Sequence, residues 1–261
     1  VDGGFEHYQA RMGLENAESL LLDSPFDYQQ QSMLCVPRFL PEPNHPKRNA
    51  RLVEIAEEVI KASDGRCFIL FTSHATLKAV AEILSRQSTR KLLIQGTTSK
   101  RALLDEYMQN KKAVLLGTGA FWEGVDVRGD DLICVMIEKL PFAAPDDPLL
   151  QARSEDCKRS CGNPFAQISI PQAVISLKQG AGRLIRDAKD RGVLLICDHR
   201  LVTKDYGKIF LSSLPPMRRS RDIEQTLDFL NRIRLESQVN SDGNAKTDAV
   251  PPDQEDVIDA K

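Results

Sequence analysis

Arg183 and Arg186 stand three residues apart in QGAGRLIRD, with Gln179 ahead of them and Gly180 and Gly182 between. A guanidinium keeps its charge and presents a rigid fork of donors, which suits a phosphate oxygen. If residues 179–186 are helical, Gln179, Arg183 and Arg186 fall at i, i+4 and i+7 on one face. Each interior glycine costs a helix about 1 kcal/mol relative to alanine, so two of them predict that a ligand or another backbone comes close. Arginines alone read as a solvated, salt-bridged helix face. The pattern Q-x-x-G-R-x-x-R shortly before an apolar strand points to phosphate chemistry instead.

A second glycine-bearing stretch, AVLLGTGAFWEGVDVRG, runs an apolar strand directly into Gly117, Gly119 and Gly124. In open α/β sheets, nucleotides bind at the carboxyl ends of strands. A dinucleotide fingerprint fails here, because Trp122 occupies the place of its last glycine. A phosphate-binding loop fails too, because Val125 and Asp126 follow Gly124 where lysine and serine or threonine are needed. No other stretch reads G-x-x-x-x-G-K-[ST]. The chain thus has arginines fit for phosphate without a phosphate cradle, which looks like half of a nucleotide site.

The elements that must position these residues alternate. SMLCVP, RCFILFTS, KLLIQG, AVLLGTG, DLICVMIEKLP and GVLLICD are nearly continuous apolar runs, as expected for strands covered on both faces. Between them, KRNARLVEIAEEVIKAS and HATLKAVAEILSRQ carry apolar residues at helical spacing, and SKRALLDEYMQN starts with Ser99 as a plausible cap. Strand–helix alternation predicts a parallel, doubly wound sheet. Of the six cysteines, four sit in the strand-like runs as small hydrophobes, and Cys157 and Cys161 have no second pair to complete a metal site. No metal site is expected within this chain, and a reduced, cytoplasmic setting follows.

The 261 residues, 41% hydrophobic and 28% charged, fit a globular domain, and no apolar run is long enough to span a bilayer. Net charge is −2, but from Glu236 onward there are seven acids and two bases, leaving the rest at +3. A mildly basic body permits a nucleic-acid partner without demanding one. The opening VDGGFEHYQA has no signal-peptide features and reads as an interior stretch of a longer polypeptide.

These stretches resemble the motifs of superfamily 2 helicases: QGAGRLIRD their motif VI, GTGAFWEGVDVRG motif V and CFILFTSHATL motif IV. WEGVD, EKLPFAAPDDP and DSPFDY are similar to the DinG/XPD-like iron–sulfur branch, its bacterial DinG-type members above all. The resemblance covers roughly residues 11–235 and implies a RecA-like three-layer α/β domain with a mainly parallel sheet flanked by helices. It also implies a 5′-to-3′ ATP-dependent DNA helicase acting in repair or replication. In such enzymes ATP with Mg2+ lies between two motor domains. The first carries the phosphate loop, a metal-binding acidic box and a 4Fe–4S cluster, none of which is in this sequence. Residues 47–235 then read as the second motor domain. Residues 1–46 read as the link from the first domain plus a first strand, and residues 236–261 as a disordered acidic tail. Alone, this chain is expected to be inactive.

By position, the resemblance makes Arg183 and Arg186 arginine fingers, a role worth roughly a thousandfold or more in other nucleotide hydrolases. Gln179 would orient the γ-phosphate or the attacking water. Glu123, Gly124 and Asp126, with Gly182, would border the nucleotide and couple it to DNA; the alternative for Asp126 is to cap a turn. Ser73, His74 and Thr118 fall on the rim expected to meet single-stranded or forked DNA. Trp122 is open to two readings, stacking on a base or burial against the sheet. Phe142 is a loop aromatic able to wedge or stack. Asp198 with Arg200 reads as a salt bridge or cap, and Arg218, Arg219 and Arg221 as a basic cluster at a helix start. The first motor domain is an expected partner, and a replicative polymerase accessory subunit is one by family analogy alone. The rival reading is a non-catalytic nucleic-acid-binding or partner-docking module on the same fold. A Rossmann-type small-molecule enzyme is opposed by the broken glycine fingerprint.

Overall fold

The computed structural model describes residues 4–14, 16–122, 127, 129–144 and 146–245. In chain order the elements begin with α1 (Glu6–Met12), α2 (Tyr28–Gln31), β1 (Ser32–Cys35), α3 (Arg48–Ser63), β2 (Cys67–Leu70) and α4 (His74–Gln87). They continue with β3 (Leu92–Ile94), α5 (Lys100–Gln109), β4 (Val114–Gly117), α6 (Gly119–Trp122) and β5 (Cys134–Ile137). Then come α7 (Pro148–Arg159), a π-helical turn (Phe165–Ser169), α8 (Ile170–Ala181) and β6 (Gly192–Ile196). The last are α9 (Arg200–Thr203), α10 (Gly207–Ser213), β7 (Arg218–Ser220) and α11 (Ile223–Ala245).

The strands form one seven-stranded sheet in the order β3-β4-β2-β5-β6-β1-β7. Every pairing is parallel, so all carboxyl ends share one rim. Alternate residues of each apolar run feed opposite faces. Phe68, Leu70, Val135, Ile137, Leu194 and Ile196 join one core, covered by α5, α6, α8 and α10. Cys67, Ile69, Cys134, Met136, Val193 and Leu195 join the other, covered by α3, α4 and α11. The expected three-layer α/β architecture is the one observed. Ser99 caps α5 by accepting the Ala102 N–H at 3.2 Å, and Ser73 caps α4 by accepting that of Thr76 at 3.2 Å.

Three local expectations need correction. The segment from Glu236 was expected to be without structure, but α11 continues through it to Ala245. Leu230 and Ile233 are buried against α3, and an ion pair between Arg191 and Glu236 holds the next turn. Residues 246–261 lie outside the described residues. The second is Arg218 and Arg219, which belong to an edge strand, not a helix start. The third is the helical face across residues 179–186: α8 ends at Ala181 and Gly182 is its cap, so Arg183 and Arg186 lie in the turn beyond.

Four buried cysteines, Cys35, Cys67, Cys134 and Cys197, lie in or directly after the strands as expected. Burial pushes the Cys35 thiol up to about 11.

Candidate functional site

What comes close at Gly180 is neither the ligand nor the backbone expected but a side chain, that of Trp122. A Cβ on Gly180 would sit 2.8 Å from the indole Cε3 and 3.0 Å from Cζ3. Trp122 is 4% exposed, and its Nε1–H points at the Phe71 carbonyl at 3.4 Å. Burial therefore decides between its two readings: Trp122 is a packing residue, not a base-stacking face. Gly182 adopts ordinary right-handed backbone and meets only carbonyls of its own helix.

With α8 closed at Gly182, the Arg183 guanidinium folds back onto the Trp122 carbonyl, at 3.3 Å from Nε and 2.9 Å from Nη2. This charge-assisted pair ties the QGAGRLIRD turn to the end of GTGAFW. The Arg186 and Asp187 N–H groups both donate to Asp190 Oδ2, at 2.8 and 2.9 Å. The buried Gln31 amide nitrogen lies 2.9–3.1 Å from the Asp187, Ala188 and Asp190 carbonyls. The turn carrying Arg186 is thus fixed from both sides while its side chain stays half-exposed. Gln179 is half-buried in the last turn of α8. Glu123, Gly124 and Asp126 lie outside the described residues.

On the carboxyl rim, Thr118 lies beside His74, which follows Ser73 at the start of α4. Thr118 is 5% exposed, its N–H donating to Gln95 Oε1 at 2.5 Å and its hydroxyl to the same oxygen at 3.1 Å. That hydroxyl proton being used, His74 Nε2, 3.3 Å from Thr118 Oγ1, is the donor in the remaining pair. Thr118 is therefore a buried support, and His74 beside it is exposed. Gln95, a polar residue closing the KLLI strand, was missed; only its place at a strand's carboxyl end could have flagged it.

Phe142 is half-buried in an aromatic cluster. It stacks on Phe165 at 5.5 Å between centroids and meets Tyr206 and Phe210 edge-on. The Arg200 guanidinium lies 5.7 Å from its ring centroid. Fully buried Asp198 holds Arg200 through both carboxylate oxygens and accepts the Leu140 N–H at 2.9 Å. Burial alone would raise the Asp198 carboxyl, but the Arg200 fork and the Leu140 N–H outweigh it and hold the group below the ordinary aspartate range. The salt-bridge reading of this pair stands, and it fixes the loop that carries Phe142.

Beneath the same rim lies a buried network that sequence reasoning also missed. Arg48, 2% exposed, reaches the carbonyls of Pro41, Glu138 and Cys197 at 2.5–2.8 Å. Its Nε has no hydrogen-bond partner and lies 3.8 Å from the equally buried Glu138 carboxylate, which accepts from Thr72 at 3.2 Å. The available signal was an arginine on the apolar stripe of α3, one turn before Leu52 and two before Ile55.

Among the described residues no group of histidine, cysteine, aspartate or glutamate could hold a metal ion. No helix of the described residues is long and apolar enough to cross a membrane.

Residues 56–217 match the model of the helicase C-terminal domain family. The chain is 53% identical over 230 residues to the ATP-dependent DNA helicase YoaA of Escherichia coli, covering 88% of this chain and 36% of that protein. It is 37% identical over 228 residues to the 3′-5′ exonuclease DinG of Bacillus subtilis, covering 82% of this chain and 24% of that protein. A solved XPD structure without ligand superposes with a TM-score of 0.55 at 20% identity, over 75% of this chain and 40% of that one; at that identity the likeness concerns the fold alone.

Proposed function

Because the chain belongs to the helicase C-terminal domain family, in its DinG/XPD-like branch, we propose that it is the second motor domain of an ATP-dependent DNA helicase working 5′ to 3′. It spans about a third of the length of the curated relatives it matches, 36% for YoaA, and the rest of such an enzyme would hold the phosphate loop, Mg2+ and the 4Fe–4S cluster. One observation carries the proposal: the Arg183 fork on the Trp122 carbonyl joins the arginine turn to the glycine stretch after β4. That junction can transmit a change at one to the other.

The donors on this chain suit one side of a nucleoside triphosphate. Arg186 and Gln179 offer fixed charge and an amide without a lysine-bearing cradle, which fits a group presented by another domain. Bound ATP supplies a γ-phosphoryl group whose departure spreads negative charge over its oxygens. Arg186, on a turn locked by Asp190 and Gln31, stabilises that charge with little reorganisation. Gln179 orients the outer oxygens or the attacking water. Glu123, Gly124 and Asp126, next along the chain from Trp122, receive the movement, and the rim at His74 and Ser73 holds single-stranded or forked DNA. Repair or replication is the setting, and a polymerase accessory subunit a partner by analogy.

The test is a chimera in which this chain replaces the matching segment of E. coli YoaA. Steady-state ATPase on saturating single-stranded DNA should be restored by the wild-type segment and fall at least a hundredfold with Arg186→Ala, with much less change in KM. Lysine at 186 should rescue poorly, since an ammonium lacks the planar fork. Near-normal turnover in a folded Arg186→Ala chimera would reduce this turn to a solvated surface.

A further inference from the structure

The carboxyl rim ends, at β1 and β7, in a cleft of about 810 Å³ that none of the motifs accounts for. Arg38, Arg51, Arg219 and Arg221 line it, together with Phe39. Phe39 is 93% exposed, with its backbone in the left-handed region at φ 56°. A bulky residue keeps that conformation only where its surroundings impose it. Here they do. The Arg38 N–H donates to the Arg221 carbonyl at 3.3 Å, Leu40 is buried, and the Pro41 carbonyl accepts from Arg48 at 2.5 Å. The loop is built, and what it displays is an aromatic face in water.

The charges divide clearly. Arg51 pairs with Glu54 at 2.7 Å, and Arg219 donates to the Leu211 carbonyl at 3.2 Å. Among the described residues, Arg38 and Arg221 make no side-chain hydrogen bond or ion pair, and both are exposed. Two acids, Asp222 and Glu224, oppose this charge; Asp222 also accepts the Glu224 N–H at 2.9 Å at the start of α11. The cleft therefore offers two uncommitted guanidinium groups beside an exposed aromatic ring on a fixed loop.

We propose that this cleft is a second contact for single-stranded DNA, with Arg38 and Arg221 on backbone phosphates and Phe39 stacking on a base. Phosphate donors beside an aromatic face are what sequence-tolerant single-strand binding requires. The site lies on the same rim as His74. From β2, which leads into His74, to β1 there are three inter-strand steps, about 14 Å at ~4.8 Å each, so one continuous strand can engage both. The inference rests on the reading of that rim as the DNA-binding edge.

The experiment is fluorescence anisotropy on the whole chain with labelled oligothymidylates of ~4 and ~16 nucleotides, within the range of single-strand site sizes. A ~16-unit abasic strand and a polyglutamate of matched charge complete the set, with a thermal melt of every variant. Wild type should bind the longer oligonucleotide more tightly. Arg38→Ala/Arg221→Ala should lose roughly tenfold on the longer strand and little on the shorter, and its salt slope should fall by about 0.7 for each phosphate contact removed. Phe39→Ala should lose roughly fivefold or more on oligothymidylate and nothing on the abasic strand. Variants that bind the longer strand like wild type, while His74→Ala weakens it, overturn the second contact and leave the rim reading standing. No binding of any oligonucleotide sinks both. Equal loss by Phe39→Ala on the abasic strand, or Phe39-dependent binding of polyglutamate as tight as that of DNA, also overturns the assignment.

Discussion

The two arginines of QGAGRLIRD have different surroundings, and therefore different consequences when removed. Arg183 spends two of its donors on the Trp122 carbonyl, whereas the Arg186 turn is held through its backbone by Asp190 and Gln31. Arg183→Ala leaves a part-buried carbonyl short of its partner, which costs about 1–3 kcal/mol. It also frees the tryptophan backbone, so emission from this single indole should shift. Arg186→Ala leaves the Trp122 carbonyl paired and should leave the emission alone. Urea melts followed by tryptophan fluorescence separate the two. If both variants melt like wild type, the Arg183–Trp122 tie does not exist in solution, and the proposed junction between the two motifs goes with it.

At the scale of elements, the same corner depends on how closely α8 approaches α6. Gly180 faces the indole, so Gly180→Ala forces a 2.8 Å contact with a ring that is itself buried. Overpacking of this kind costs typically 1–3 kcal/mol. Gly182, at the end of the helix with φ −66°, would place a Cβ 3.1 Å from the Lys178 carbonyl, a milder crowding, so alanine there should cost less than at 180. Equal melting points for the two alanine variants would mean that the helix–indole contact is loose. Both glycines looked alike in the sequence, because the reason for Gly180 is a side chain 58 positions away. The strands were legible for the opposite reason: SMLC, CFIL, VLLG, CVMI and GVLLI carry their signal within themselves, in apolar residues bound for two covered faces. β7 was not, since RRS at the sheet edge buries little and shows no apolar pattern. The helical reading of 179–186 failed because periodicity cannot see a turn held from outside, here by Gln31. Of the site, the arginines, Ser73 and His74 were legible as types in a pattern. Gln95, Arg48 and the cleft around Phe39 were not, because each acquires its meaning only from partners distant along the chain.

At the scale of the whole molecule, the proposed function gives this chain only part of a nucleotide site, the part that works against another domain. Arg186 and Gln179 sit on one core's flank and the proposed DNA rim along the sheet's carboxyl edge, yet G-x-x-x-x-G-K-[ST] occurs nowhere in the sequence. Without a lysine and a nest of N–H groups around the phosphates, neither the ground state nor the departing phosphoryl group is held. A lone arginine also has no fixed position relative to an attacking water, and positioning is most of what phosphoryl transfer asks of a protein. The purified 261-residue chain should therefore hydrolyse no ATP above a buffer blank, with or without single-stranded DNA, while still binding the DNA through its rim. A coupled-enzyme ATPase assay across a range of protein concentrations checks the first half, and anisotropy on the same preparation checks the second. DNA-stimulated turnover that scales with concentration, co-elutes with the chain and disappears in Arg186→Ala would show that it holds a complete site, and the division of labour between two motor domains would have to be abandoned.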